Sequence, residues 1–493
     1  MNLQSTSRAP VFRAASRLLS PLGKARTVWK IFFLGLLLRV VLTLVLGNRL
    51  LPLADQPVFL DLAEHIATGR GLAVSEELIG IPDNVSDSLR AVLMTRPERV
   101  RDEELGALWG IIKPETPTAF FEPFYPVFVG GIRYLFGPTS GTKFGLQEVI
   151  PFGPKIVIVR LFQSIFDALV ILILYYLGVA LFTPAVGGLA ALIYCFYPFS
   201  IAFVLNLVTQ NTYLFLQAVM VFFIVRTMQK QSWVNYILLG VFAGFTLLTR
   251  ISLITFIPFI VLCLWLPLGR ELKWQRLAVS VIVMIMAVVP WVVRNEAVYG
   301  KPLLLPTKGG RNLWEYNNQF FTPEKMDVPA VGVERLYQNF ARNNYPDLQA
   351  KELLPFPNFT TENEIERDRI LNERVMGFIK ANPVVYAKLC ILRLYQLFRV
   401  IPRHLGGPLT TAAALITFAW ILPAALIGTL LSLRDWRRRS VIYAIFFYTV
   451  GTATLTASGI PHRVPTDPFF ILMAAFFIVK LLRVDPQPGA PGT

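Results

Sequence analysis

The chain has 493 residues, 54% of them hydrophobic and only 16% charged, with a formal net charge of +16. Soluble domains carry about 25% charged residues, so this composition, with a mean hydropathy of +0.55, excludes an ordinary soluble enzyme and indicates a polytopic membrane protein. The chain has no zinc-finger spacing and no basic helix with interleaved aromatics, so its positive charge reads as bilayer-facing and no nucleic-acid partner is expected.

Residues 1–30 carry six basic residues, Arg8 through Lys30, and no acid. They read as a cytoplasmic N-terminus ahead of an uncleaved first span at 31–51, whose end lacks a small-residue cleavage site. A long polar loop, 52–155, follows, with an amphipathic helix near 57–68 and a polar patch at 84–107. Apolar runs at 156–182, 186–204, 207–226, 234–249, 251–268 and 276–293 complete a seven-span core over 31–293. A second long loop covers 294–408; near its end Ile365, Ile370, Val375 and Phe378 fit one helical face. Three more spans lie at 409–432, 440–457 and 468–482, before a disordered tail at 483–493.

If these ten spans alternate, the basic stretches Arg226–Lys230, Arg270–Arg276, Arg434–Arg439 and Lys480–Arg483 all fall on one side. The positive-inside rule makes that side cytoplasmic, with both termini there and both long loops outside. Segments 124–136 (with Arg133) and 384–402 (with Lys388, Arg393 and Arg399) are short or charged. They read as juxtamembrane helices on the outer face, the alternative being that both span. Cys195, Cys263 and Cys390 show neither metal-ligand spacing nor a disulfide framework. The sequons at Asn84 and Asn358 carry meaning only in a glycosylating host.

Asp55 sits just beyond the first span. A carboxylate there can take a proton from a hydroxyl while a lipid-borne partner stays in the bilayer; the plain alternative is a solvated loop acid. Asp55, Phe59 and Ala63, followed by Gly69 and Gly71, fit D-x-x-x-aromatic-x-x-x-A and then G-x-G. The blocks Glu122-Pro-Phe-Tyr-Pro126, Arg160-Leu-Phe-Gln163, Leu248-Thr-Arg250, Pro290-Trp-Val-Val-Arg-Asn295, Gly309-Gly310 with Asn317-Asn318, and His462-Arg463-Val-Pro465 follow in order. This ordered set resembles the GT-C glycosyltransferases, in the bacterial branch near protein O-mannosyltransferases and aminoarabinose lipid A transferases.

The resemblance implies an all-α polytopic membrane fold of about ten transmembrane helices with two large outer loops. It also implies an inverting transfer of a sugar from a polyprenyl-phosphate donor to a hydroxyl-bearing acceptor, whether lipid, glycan or protein, at the outer face of the plasma membrane. Asp55 then falls at the catalytic base. Arg250, Arg294, Arg463 and His462 are expected at the donor phosphate, with Arg311 as a competitor. Glu122, Gln210 and Asn317 are expected at the sugar and acceptor pocket. Each has a plainer reading: Arg250 as a snorkelling cap, Glu122 as a helix cap, His462 as surface lining. Asp167, inside a span, faces a cavity or a partner; it reads as structural, with Arg250 or another buried cation as the candidate partner. Tyr197, Trp291 and Trp314 read as interface-belt aromatics. The family often has a second acid after the first; here it is Gln56, so no metal is favoured and no cofactor is expected. A transporter of lipid-linked sugars and an O-antigen ligase or polymerase are the rival readings.

Overall fold

A computed structural model of the chain describes residues 19–46, 56–74, 116–137, 154–317, 364–400 and 408–482. The polar patch at 84–107, both sequons, Asn318 and the tail at 483–493 lie outside these residues, as does Asp55. The described chain is helical, with one isolated bridge between Ala73 and Pro117.

Every predicted span meets a helix, because a backbone in hydrocarbon must satisfy its polar groups within its own segment. Seven stretches are long and apolar enough to cross a membrane: Ala25–Leu46, Ile156–Leu181, Thr209–Gln229, Ile251–Glu271, Trp274–Tyr299, Thr411–Asp435 and Ile460–Leu481. The predicted third span is instead two helices, Pro184–Cys195 and Pro198–Leu205, meeting at 50°. Pro198 lacks the N–H that would continue the ladder. The carbonyls left at the break are capped from another helix: Arg39 donates to Cys195 O (3.1 Å) and Tyr194 O (3.3 Å). The predicted fifth and ninth spans, Trp233–Thr249 and Ser440–Leu455, are short, at 17 and 16 residues.

The helices alternate in direction. At one end of the bundle Tyr175 donates to Gly23 O, Arg438 to Ala180 O and Arg439 to Leu181 O and Ser432 O. At the same end Ser440 reaches Cys263 O, Gln231 holds Glu271 O and Lys273 N, and Asn235 holds Arg226 O and Lys230 O. The basic stretches 226–230, 270–276 and 434–439 therefore share one end, as alternation requires. Helices cross closely where side chains are smallest: a Cβ on Gly178 would lie 2.2 Å from Gly187 Cα.

The opposite end carries a second layer. Helices Gln56–Ala67 and Phe124–Phe136 pack through Val58, Phe59, Leu62, Tyr125 and Val129, with Phe121 just ahead of the second helix, onto Ile156, Val159 and Trp291 of the spans and Leu207 between them. The Arg133–Glu64 ion pair ties the two helices together. Arg294 donates to Leu72 O and Thr118 O, and Glu364 accepts from Thr118 Oγ1 and Ala119 N. Helix Glu364–Ala381 turns by 105° into Pro383–Leu397, a geometry unlike a single crossing. Its buried stripe is Arg367, Leu371 and Val375; of the predicted face of Ile365, Ile370, Val375 and Phe378, Val375 alone belongs to it. The reason is its neighbour: Leu371 and Val375 cluster with Trp314 of the short helix Gly309–Tyr316.

Candidate functional site

Arg250 ends helix Trp233–Thr249 in extended backbone, where a short 3-10 segment, Ile251–Phe256, redirects the chain. Its guanidinium lies over the Tyr213 ring, 5.3 Å from the centroid, and pairs with no carboxylate among the described residues. The Tyr213 hydroxyl meets that of Tyr448 (3.3 Å), which meets Ser252 Oγ (2.9 Å), and Gln217 Nε2 donates to Tyr213. His462 lies within the field of the Arg250 charge, and its Nδ1 has no partner. Gln210, three residues before Tyr213 on the same helical face, has a buried Oε1 without a donor.

Glu122 closes this cluster from the loop layer. One carboxylate oxygen accepts from Ile251 N (3.4 Å), the residue after Arg250, and the other takes the Lys308 ammonium. It is no helix cap: the first helical turn after it is capped by Pro123 without a side-chain bond. Segment 307–311 lies along segment 119–122. Thr307 N donates to Ala119 O, Lys308 sits over the Phe121 ring, and Arg311 sits over the Phe120 ring. Thr307 Oγ1 and Arg311 Nε are buried without partners. Glu122 thus pairs with Lys308 and accepts from the residue after Arg250, while Arg311 lies over the Phe120 ring and Asp368 and Glu364 hold the backbone of the same two segments.

The other predicted residues are engaged by the fold. Arg463 is fully buried, ion-paired with Asp467 (3.1 Å), donating to Arg399 O and lying 3.4 Å over the Phe418 ring. Arg294 commits its donors to Leu72 O, Thr118 O and Asn295. Asn317 accepts from Arg393 and donates to Leu313 O, tying the two loop helices together. Of these three, Arg463 keeps one buried nitrogen, Nη2, without a partner. Asp167 pairs with Arg39, not Arg250. Tyr197 is no belt residue: it is buried and donates to Asp467. Trp291 and Trp314 are buried as well.

The sequence reading missed Lys308 and underused Arg160. Lys308 precedes the Gly309-Gly310 pair, which was the available signal. Gly310 is needed there, since a Cβ would lie 2.3 Å from Asp368 O. Arg160 is fully buried, and its Nε and Nη1 have no partner. Beside it Tyr125 donates to Gln163, and Gln163 donates to Val204 O and Asn206 O. One residue on, Leu207 N donates to Gln56 Oε1 (2.9 Å), and Gln56 directly follows Asp55 in the chain.

Residues 150–293 match the family model described as dolichyl-phosphate-mannose-protein mannosyltransferase. No curated protein matches the chain. Among solved structures, the archaeal oligosaccharyltransferase AglB from Archaeoglobus fulgidus, in complex with an inhibitory peptide and a dolichol-phosphate, is similar at 11% identity and a TM-score of 0.45, over 92% of this chain and 50% of that one. The chain thus spans about half the length of AglB. ArnT from Cupriavidus metallidurans, bound to undecaprenyl phosphate, is similar at 12% identity and a TM-score of 0.38, over 93% of this chain and 79% of that one. With the family match over 150–293 and an all-helical, multi-span fold, the chain resembles the GT-C membrane glycosyltransferases.

Proposed function

We propose that the chain is an inverting glycosyltransferase. It moves a sugar from a polyprenyl-phosphate donor to a hydroxyl of a lipid, glycan or protein acceptor, at the outer face of the plasma membrane. The observation that carries this reading is Arg250, which has no carboxylate partner among the described residues, with Glu122 and its partner Lys308 held at the next residue, Ile251, at the bundle end away from the basic loops. The positive-inside rule favours a cytoplasmic location for those loops and hence an outer location for the cluster. An activated sugar on that side arrives on a membrane lipid, whose phosphate stays at headgroup level. The match to the mannosyltransferase model supports this donor class.

Asp55 takes the acceptor hydroxyl proton as the new bond to the sugar C1 forms and the C1–O bond to phosphate breaks. The polyprenyl phosphate leaves with the electron pair. General-base help of this kind contributes about 10²–10⁴ in rate. Arg250 stabilises the charge gathering on the departing phosphate, with His462 beside it. Glu122 and Gln210 accept hydrogen bonds from sugar hydroxyls.

The transporter reading asks for an internal repeat and free polar groups near the midplane. The buried carboxylates Asp167 and Asp467 are instead each paired, with Arg39 and Arg463. The ligase reading makes the acid after the first span dispensable. The test is transfer from radiolabelled polyprenyl-phosphate sugars in proteoliposomes. Arg250→Gln lowers kcat/KM by about 10²-fold or more, the scale of losing one charge-stabilising donor, and Arg250→Lys loses less. Equal activity of wild type and Arg250→Gln removes Arg250 from the reaction.

A further inference from the structure

Thr307, Lys308 and Arg311 stand in the second outer loop, and no motif of the sequence assigned Thr307 or Lys308 a task. Three observations converge on them. Thr307 is 5% exposed, yet its hydroxyl has no partner. The Nε of Arg311, one helical turn on, is buried without an acceptor. Lys308, between them, gives its charge to Glu122, whose second oxygen is bound at Ile251 beside Arg250. A buried hydroxyl and a buried guanidinium Nε without hydrogen-bond partners are costly to keep unless something else satisfies them. An ammonium has three donors, and Glu122 accounts for one. The aromatic floor of Phe120 and Phe121 holds both cations from below. The close approach of Gly310 to Asp368, with Gly310 N donating to its carboxylate at 2.5 Å, fixes the segment from behind.

We infer that Thr307, Lys308 and Arg311 bind the phosphate of the lipid-linked donor jointly with Arg250, and that Lys308 bridges that phosphate to Glu122. This rests on the proposed reaction and specifies its donor site. The bridge explains why a carboxylate sits in a cationic site: Lys308 fixes Glu122 relative to the phosphate, so the sugar is read at a set distance from its leaving group. The site then takes a phosphate ester on a polyprenyl chain, with a sugar that offers a hydroxyl donor to Glu122. Lys308 and Arg311 are donor-binding residues, and Glu122 is the sugar-positioning residue they hold.

The experiment measures affinity for sugar-free polyprenyl phosphate on full-length protein in nanodiscs. Lys308→Met and Arg311→Gln each weaken binding about tenfold or more, the scale of one charge-assisted hydrogen bond. Lys308→Arg stays within a few-fold and serves as the folding control. Glu122→Gln binds polyprenyl phosphate like wild type but raises KM for the sugar-carrying donor. The decisive variant is Glu122→Gln with Lys308→Met. If Lys308 touches phosphate, the double variant binds as weakly as Lys308→Met; if Lys308 only neutralises Glu122, the double variant recovers wild-type affinity and the inference fails. Competition with inorganic phosphate and with phosphatidylglycerol separates the anion sources. Displacement by neither, at matched concentration, supports a polyprenyl phosphate, and displacement by either overturns it. Wild type that binds no polyprenyl phosphate sinks the proposed function itself. Wild-type binding that Lys308→Met leaves intact sinks only this inference.

Discussion

Asp167→Asn tests how the site is held from below. Arg39 and Asp167 are both fully buried and paired through Nε and Oδ2. Arg39 also donates to Gly35 O (3.0 Å), Cys195 O (3.1 Å), Tyr194 O and Ser200 Oγ (both 3.3 Å), and Asp167 accepts from Tyr194 (2.6 Å). The asparagine keeps the Tyr194 contact but leaves the guanidinium buried without a counter-charge. Removing one partner of such a pair costs about 3–5 kcal/mol, whereas replacing both by apolar residues of similar volume is near neutral. The carbonyls at the break still need capping, so the Arg39→Met/Asp167→Leu double variant gives back about 1–2 kcal/mol of that advantage. The expected order of unfolding free energy in mixed micelles by detergent titration is wild type, then the double variant, then either single variant. Activity follows the same order, because helix Pro198–Leu205 runs directly into Asn206 and Leu207, which Gln163 and Gln56 hold. Single variants within about 1 kcal/mol of wild type, or a double variant as unstable as the two singles summed, refute the reasoning.

Arg160→Met removes a fully buried guanidinium whose Nε and Nη1 are unpaired, so it raises thermal stability; a lower melting temperature contradicts this. Gly310→Ala drives a Cβ to 2.3 Å from Asp368 O, an overpacking worth about 1–3 kcal/mol. It raises KM for the donor while kcat changes less, and an unchanged KM shows that segment 307–311 does not depend on this contact. Arg393→Met frees helix Pro383–Leu397 from Thr454 O, Tyr316 O and Asn317. Limited proteolysis then cuts the second long loop faster than in wild type; equal rates argue against a clamp.

The spans were legible because bilayer thickness imposes a length of about 20 apolar residues, and the basic loops sorted them by side. The break at Pro198 was not: an apolar run shows where hydrocarbon is met, not where the ladder stops. The partner of Asp167 was equally hidden, since Arg39 is 128 positions away and spacing says nothing about which helices adjoin. Arg250 and Glu122 were singled out by their motifs, and the structure sets Glu122 against the backbone N–H of Ile251, the residue after Arg250. Arg463 and Arg294 looked equally suitable in sequence; that Arg463 pairs with Asp467 and Arg294 holds Leu72 O and Thr118 O is visible only once their neighbours are known. Lys308 was missed because its meaning lies in a carboxylate 186 positions earlier. Asp55 rests on its motif alone.

The central claim is that a sugar passes from a polyprenyl phosphate to a hydroxyl with Asp55 as base. The most direct measurement is label transfer in proteoliposomes from a panel of polyprenyl-phosphate sugars, with wild type beside Asp55→Asn, which keeps size and polarity but removes the base. The account predicts transfer from at least one donor by wild type, and a loss of about 10²-fold or more in Asp55→Asn. Equal transfer by both proteins contradicts the role of Asp55, and no transfer by wild type from any donor contradicts the reaction.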